Sequence, residues 1–169
     1  LPLETQIRIH IECIINPWYW LREICRIPED GKSIDSGGGV MYRIDRNNLA
    51  GWYLMLNGID TYRSKPRQCG KTQDIIAFMN YCYHYGTQST NFSFFNKKED
   101  DSKLNLARLK IQRDLLPTWM QMKNAFGNDG AVLKEGNNVK TMKNPMNNNK
   151  VTAMPKASTS AAAMSLGRG

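Results

Sequence analysis

Residues 71–85 are apolar nearly all round, with Ile75, Ile76, Met79, Cys82 and Tyr83 spread about the circumference of the helix they predict, and Gly86 stops the run. A helix without a polar face has to be enclosed by protein, so this chain must fold around residues 71–85. The segment leading into it is Ser64-Lys-Pro-Arg-Gln-Cys-Gly-Lys-Thr72. A loop that cradles phosphate needs converging main-chain N–H groups, a helix N-terminus aimed at the anion, a lysine for the outer phosphates and a hydroxyl for Mg²⁺. Gly70-Lys71-Thr72 at the mouth of a buried helix supplies the last three. The full G-x-x-x-x-G-K-[ST] pattern is broken at position 65, where lysine replaces the first glycine. Taken alone, Gly-Lys-Thr also arises by chance at helix starts.

The flanking segments set the fold class. Ile7, Ile11, Ile14 and Ile15 predict a helix over 5–15 that Asn16-Pro17 closes, because the residue before proline avoids the α region. A second short helix is expected over 17–26 with Trp18, Leu21 and Cys25 on one face, then a flexible connection through Pro28-Glu-Asp-Gly31 and Gly37-Gly38-Gly39. Leu49, Trp52, Tyr53 and Leu56 predict a helix over 46–57 ended by Asn57-Gly58. Residues 59–64 alternate weakly, as a strand would, and Asn91–Asn96 reads as a short buried strand. Over 100–116, Leu104, Ala107, Ile111 and Leu115 form a stripe, Asp100, Asp101 and Ser102 are expected to cap it, and Pro117 ends it. The window 124–149 is rich in Asn and Gly, hence loop and hairpin, with short strands expected near 138–143 and 150–154. The alternation of helices and strands is an α/β signature.

Charge is concentrated at the candidate loop. Residues 61–72 carry four basic and no acidic groups, within a chain of net charge +8, which favours polyanionic partners. No run approaches the ~20 apolar residues needed to cross a bilayer, and, with no charged n-region followed by an apolar core at the start of the sequence, no secretory signal is expected. Cys13, Cys25, Cys69 and Cys82 have neither disulfide-framework nor zinc spacing, which fits a reducing cytoplasm. The pairs His10/Cys13 and Cys82/His84 lack second members at metal spacing and read as ordinary core or surface residues. Trp18, Tyr19, Trp20 and Trp52 have the chemistry to stack on bases, but at helical spacing they read as core packing. Lys97-Lys98 beside Glu99-Asp100-Asp101 reads as a solvated turn.

Lys65-Pro-Arg-Gln-Cys-Gly-Lys-Thr-Gln73 resembles the deviant Walker A loop of the large terminase subunit of tailed bacteriophages, in which Arg-Gln-x-Gly-Lys-Thr replaces the glycine-first form. Phe92-Ser-Phe-Phe-Asn-Lys-Lys98 with Leu104, Ala107, Arg108, Lys110 and Leu115-Leu-Pro117 is similar to that family's next strand and helix. Asn16-Pro-Trp-Tyr-Trp20 with Arg22-Glu23 and Arg26-Ile-Pro28 resembles its N-terminal lead-in. The likeness runs over residues 12–120 and more loosely through 149–169. It implies an α/β P-loop NTPase of the ASCE type with an N-terminal helical lead-in (1–30) and a partial ATPase domain (31–169) whose sheet is incomplete. It further implies an ATP- and Mg²⁺-dependent motor that packages double-stranded phage DNA into a procapsid. The partners so implied are the portal protein, the small terminase subunit and further copies in a ring, with no membrane. The location implied is the host cytoplasm and, transiently, the portal, with the protein absent from the mature virion.

By the same resemblance Lys71 would bind the β/γ-phosphates, Thr72 would ligate Mg²⁺, and Arg67 would sense or stabilise the γ-phosphate, or merely grip the β-phosphate. Lys65, Pro66, Gln68, Cys69, Gly70 and Gln73 would complete the phosphate loop. An adenine-recognition segment would lie at Tyr42-Arg-Ile-Asp-Arg-Asn-Asn48, with Arg43 and either Asn47 or Asn48 in place of the family's glutamine; an amide pairs with an adenine edge. Asp45 or Asn47 would equally serve as the cap of the following helix. An apolar strand ending in Asp-Glu, which holds Mg²⁺ and orients the attacking water in this superfamily, does not follow residue 73, and no carboxylate cluster suits a two-metal nuclease. The expectation is an N-terminal portion of a longer protein, without the acidic strand or the nuclease domain, and inactive by itself. Two other readings stay open: another P-loop NTPase such as a helicase or nucleotide kinase, and a basic nucleic-acid-binding module without nucleotide chemistry.

Overall fold

The structure, a computed structural model, describes residues 1–28, 39–62, 70–96, 98–121 and 139–155, apart from the side chains of Asn47 and Pro155. It is a mixed α/β arrangement. Helix α1 (Leu3–Ile15) runs to Asn16, and α2 (Pro17–Tyr19) continues without a break into a π turn over Trp20–Ile24. Asn16 accepts from the N–H of Tyr19 and so caps α2. Strands β1 (Arg26–Pro28) and β2 (Gly39–Met41) pair antiparallel. Helix α3 (Arg46–Leu56) ends at Asn57 and the left-handed Gly58. Helix α4 (Lys71–Tyr85) leads to β3 (Asn91–Asn96), then α5 (Glu99–Asp114), a 3-10 turn at Thr118–Met120, β4 (Thr141–Lys143) and β5 (Lys150–Pro155). The second sheet has the order β3-β5-β4, with β3 parallel and β4 antiparallel to β5. Parallel partners require a crossover, and α5 lies within it, packed on both β3 and β5.

Helix α4 is the spine because it feeds two cores. Ala77 and Tyr81 join Cys13, Trp20, Leu21, Cys25, Tyr42, Trp52, Leu116 and Met120. Ile76, Met79 and Tyr83 join Phe94, Leu106, Leu109, Met142, Val151 and Ala153. That double burial explains a helix apolar round most of its circumference, although Ile75, expected inside, is exposed, and Asp74, Asn80 and His84 are buried among the apolar residues. Its last turn is held by asparagines from the β4–β5 connection. Asn144 and Asn147 donate to the Tyr83 carbonyl at 2.8 and 3.1 Å, Asn147 also to that of His84 at 3.1 Å, and Asn149 to that of Cys82 at 2.9 Å.

Several expectations are corrected. The isoleucines of α1 do mark a helix, but Ile7, Ile11, Ile14 and Ile15 are all exposed; the inner side carries Cys13 and Ile9. The stripe expected on α5 also faces outward at Leu104 and Ala107, while Ser102, Leu106, Leu109, Gln112 and Arg113 are the buried set. Residue 102 does not cap α5: the N-cap is Lys98, and the Ser102 hydroxyl donates to the Met154 carbonyl on β5. Among the described residues β3 is an edge strand, with only Phe94 buried and Phe95 turned outward. Ile59 to Tyr62 is not a strand; among the described residues none pairs with it, and a strand without a partner has unmet backbone groups. Finally, Gly39 is no flexible spacer. A Cβ there would sit 2.9 Å from Leu115 Cδ1, 3.0 Å from Arg26 Cβ and 3.1 Å from the Ile27 carbonyl oxygen, so β2 lies close against β1 and Leu115, and a side chain at 39 would make these neighbours shift. The rest of the expected connection, 29–38, lies outside the described residues.

Candidate functional site

Gly70 has φ +68° and ψ 9°, the left-handed conformation, and directly precedes the first residue of α4. A Cβ at Gly70 would meet nothing within 4 Å, so glycine is required there by the backbone and not by space. A left-handed residue followed by helical ones turns successive N–H groups to one side, the geometry of an anion-binding concavity. Glycine has no side chain to cap with, and the positive end of the α4 dipole lies at this wall. Lys71 is half-buried and Thr72 is exposed as the second helical residue.

Gly70 and Gln73 form one side of a cavity of about 490 Å³ whose other side is Tyr42, Arg43, Asp45 and Asn48, with Ile27 from β1. A volume of that size falls within the range of small-ligand sites. The second side is rigid for a local reason. Asp45 is the N-cap of α3 and accepts from the N–H of Asn48 at 2.7 Å, so of the two capping candidates Asp45 takes the role. Asn48 is buried while Arg43 is exposed at the rim.

The two sides are tied together beneath the cavity. Asp74, fully buried in the first turn of α4, accepts at one oxygen from the Tyr42 hydroxyl at 2.8 Å and from the Trp52 indole N–H at 2.8 Å. Burial, and then the neighbouring Asp74 carboxylate, push the Tyr42 phenol far above its ordinary range, so it stays a donor. On the α5 side, Gln112 donates to the Gln73 side-chain oxygen at 3.0 Å, which orients Gln73. A larger groove of about 640 Å³ runs along α3 and Trp18, but Leu49, Ala50, Tyr53 and Leu54 make it apolar, with Arg46 the only charged wall residue among the described residues.

Of the residues expected from sequence to form the site, Arg43, Asn48, Gly70 and Gln73 line one cavity, and Lys71 and Thr72 follow Gly70 directly. Lys65, Pro66, Arg67, Gln68 and Cys69 lie outside the described residues, as does the side chain of Asn47. Sequence reading passed over Asp74, Trp52 as a donor, and Ile27. Asp74 had a legible signal, an acidic residue inside a run that is apolar all round. The described thiols are not nucleophiles near neutrality, because burial pushes Cys13 up to about 11 and Cys25 and Cys82 up to about 12. Among the described residues no group of three or more His, Cys, Asp or Glu side chains is placed to hold a metal ion, and no helix is long and apolar enough to cross a membrane.

The site belongs to a mixed α/β protein with a glycine-entered helix facing a polar cavity. No protein-family model and no curated protein matches the chain.

Proposed function

We propose that the chain binds a nucleoside triphosphate with Mg²⁺ as the nucleotide-binding part of a P-loop ATPase, of the large-terminase kind that drives double-stranded DNA into a procapsid. The observation that carries the nucleotide reading is the cavity that faces Arg43, Asp45 and Asn48 across to Gly70 and Gln73. Residues distant in the chain meet there: the amide of Asn48 and the guanidinium of Arg43 line the same cavity as Gly70 and Gln73 of the α4 entry, and Lys71 follows Gly70 in the chain. The packaging role rests on the sequence likeness of residues 12–120, and with it the portal, the small subunit and the ring as partners.

The described residues fit the metal nucleotide in kind. Thr72 is exposed one position into the helix, and its hydroxyl would be the side chain that holds Mg²⁺. Bound Mg²⁺ would neutralise charge that develops on the phosphoryl oxygens. The chain's own part is to seat the triphosphate on the N–H groups around Gly70, to set the ammonium of Lys71 against it, and to hold the base side with Asn48 and Arg43. Arg67 would add the second loop cation. Positioning and charge are most of what phosphoryl transfer asks of a protein.

Lys71→Ala tests the reading directly. We expect ATP affinity to fall by about tenfold or more, the loss of a charge-assisted contact, while affinity for double-stranded DNA is unchanged. DNA binding lost with ATP binding intact would instead favour the basic module, the alternative that the four positive charges at 61–72 keep in view.

A further inference from the structure

We infer that Asp74 is a positioning residue: its buried carboxylate locks the segment 42–48 onto the first turn of α4, so that the base side and the phosphate side of the cavity are held at one separation. The inference rests on the nucleotide reading above and deepens it. Three observations carry it. The Asp74 oxygen takes both the Tyr42 hydroxyl and the Trp52 N–H at 2.8 Å, which joins α4 to the cavity wall and to α3 at one atom. The Asp74 N–H donates to the Gly70 carbonyl at 3.0 Å, so the same residue is bonded to the left-handed glycine. And Tyr42 is adjacent to Arg43 and lines the cavity with it.

A carboxylate is a costly choice for a core. Apolar residues of similar volume commonly replace such buried polar groups without loss of stability, whereas a hydrogen-bonded carboxylate fixes direction as well as distance. The three side chains Tyr42, Trp52 and Asp74 come from three separate segments and meet within an otherwise apolar cluster. The Tyr42 N–H, which donates to the Cys25 carbonyl at 3.2 Å, ties the segment to β1's side; the Tyr42 hydroxyl bond to Asp74 is the polar tie that sets it against α4.

The test compares ATP with inorganic tripolyphosphate, which shares the phosphates and lacks the nucleoside, in Mg²⁺ by titration calorimetry on the 169-residue chain. In Tyr42→Phe and in Asp74→Ala the preference for ATP over tripolyphosphate should drop about tenfold, with tripolyphosphate affinity held within about threefold. Asp74→Asn keeps an acceptor oxygen and should restore the preference to within about threefold of the unaltered chain. Trp52→Phe removes the other donor away from the cavity, so it should lower the unfolding midpoint and leave the preference intact. An unchanged preference in Tyr42→Phe, or an equal loss of both ligands, makes Asp74 a structural residue only and overturns the inference while the nucleotide reading stands. Should Asp74→Ala fail to fold, Tyr42→Phe decides alone. If the unaltered chain binds neither ligand, the nucleotide reading falls and the inference falls with it.

Discussion

His84 shows how burial dictates protonation in this fold. Its Nδ1 lies 2.8 Å from the Asn80 carbonyl, an acceptor only, so that nitrogen carries the proton, and the ring packs 5.4 Å from that of Trp20. Burial lowers its pKa from 6.5 to about 4, with Arg113 and His10 adding to the shift. The folded state therefore resists protonation that the unfolded chain accepts. His84 contributes its full stabilisation above about pH 6.5 and loses it progressively as pH falls towards 4. Between pH 7 and pH 5 the loss should be about 2 kcal/mol, in the same direction as His10, whose pKa burial also lowers. Urea unfolding at the two pH values checks this, and His84→Gln should flatten most of the slope. A midpoint that did not move between those pH values would show that the imidazole is solvated.

At the scale of elements, the C-terminal end of α4 is finished by residues more than sixty positions away. Asn149 is fully buried, donates to the Cys82 carbonyl and accepts from the Thr90 N–H at 2.9 Å, thereby fixing both the end of α4 and the start of β3. Asn149→Ala leaves the Thr90 N–H without that acceptor and takes one donor from the Cys82 carbonyl, which keeps the Gly86 N–H at 2.9 Å, and should cost about 1 to 3 kcal/mol by denaturant unfolding. Asn147→Ala should cost less, since Asn144 still donates to the Tyr83 carbonyl. The described part of the Asn-rich window, 139–149, reads from sequence as turn material near two short strands, while 124–138 lies outside the described residues; its task as a helix cap was illegible, because the recipients lie in another element. Helix α5 teaches the same lesson. Its start and its Pro117 stop follow from local chemistry, but two apolar rows share the helix. Leu106 and Leu109 face β5 and α4 only because α5 must cover the sheet, and the row containing Leu104 is left outside.

Across the whole molecule, both cores meet on α4, and the cavity sits where α3, β1 and the start of α4 converge. No apolar strand ending in Asp-Glu occurs among the 169 residues, so this chain by itself should bind ATP and turn it over at well below about 1 s⁻¹, the low end of ordinary enzyme rates. Phosphate release measured at saturating ATP and Mg²⁺ checks that, and turnover at or above that rate would mean that an acid from elsewhere in the chain serves the reaction. Local chemistry settled a good deal. Proline, glycine and Asn-Gly punctuation together with apolar periodicity mark α1, α3, α4, α5, β3 and the β4–β5 region, because those signals act over a few neighbouring residues. Gly70-Lys71-Thr72 at the mouth of a largely apolar helix was likewise visible as a candidate site. Tertiary structure alone decided which row of each amphipathic helix is inside, that Gly39 is closely hemmed by Arg26, Ile27 and Leu115, and that a carboxylate in α4 binds Tyr42 and Trp52. Each of these depends on atoms brought together from separate segments, and no pattern within one segment records what will be packed against it.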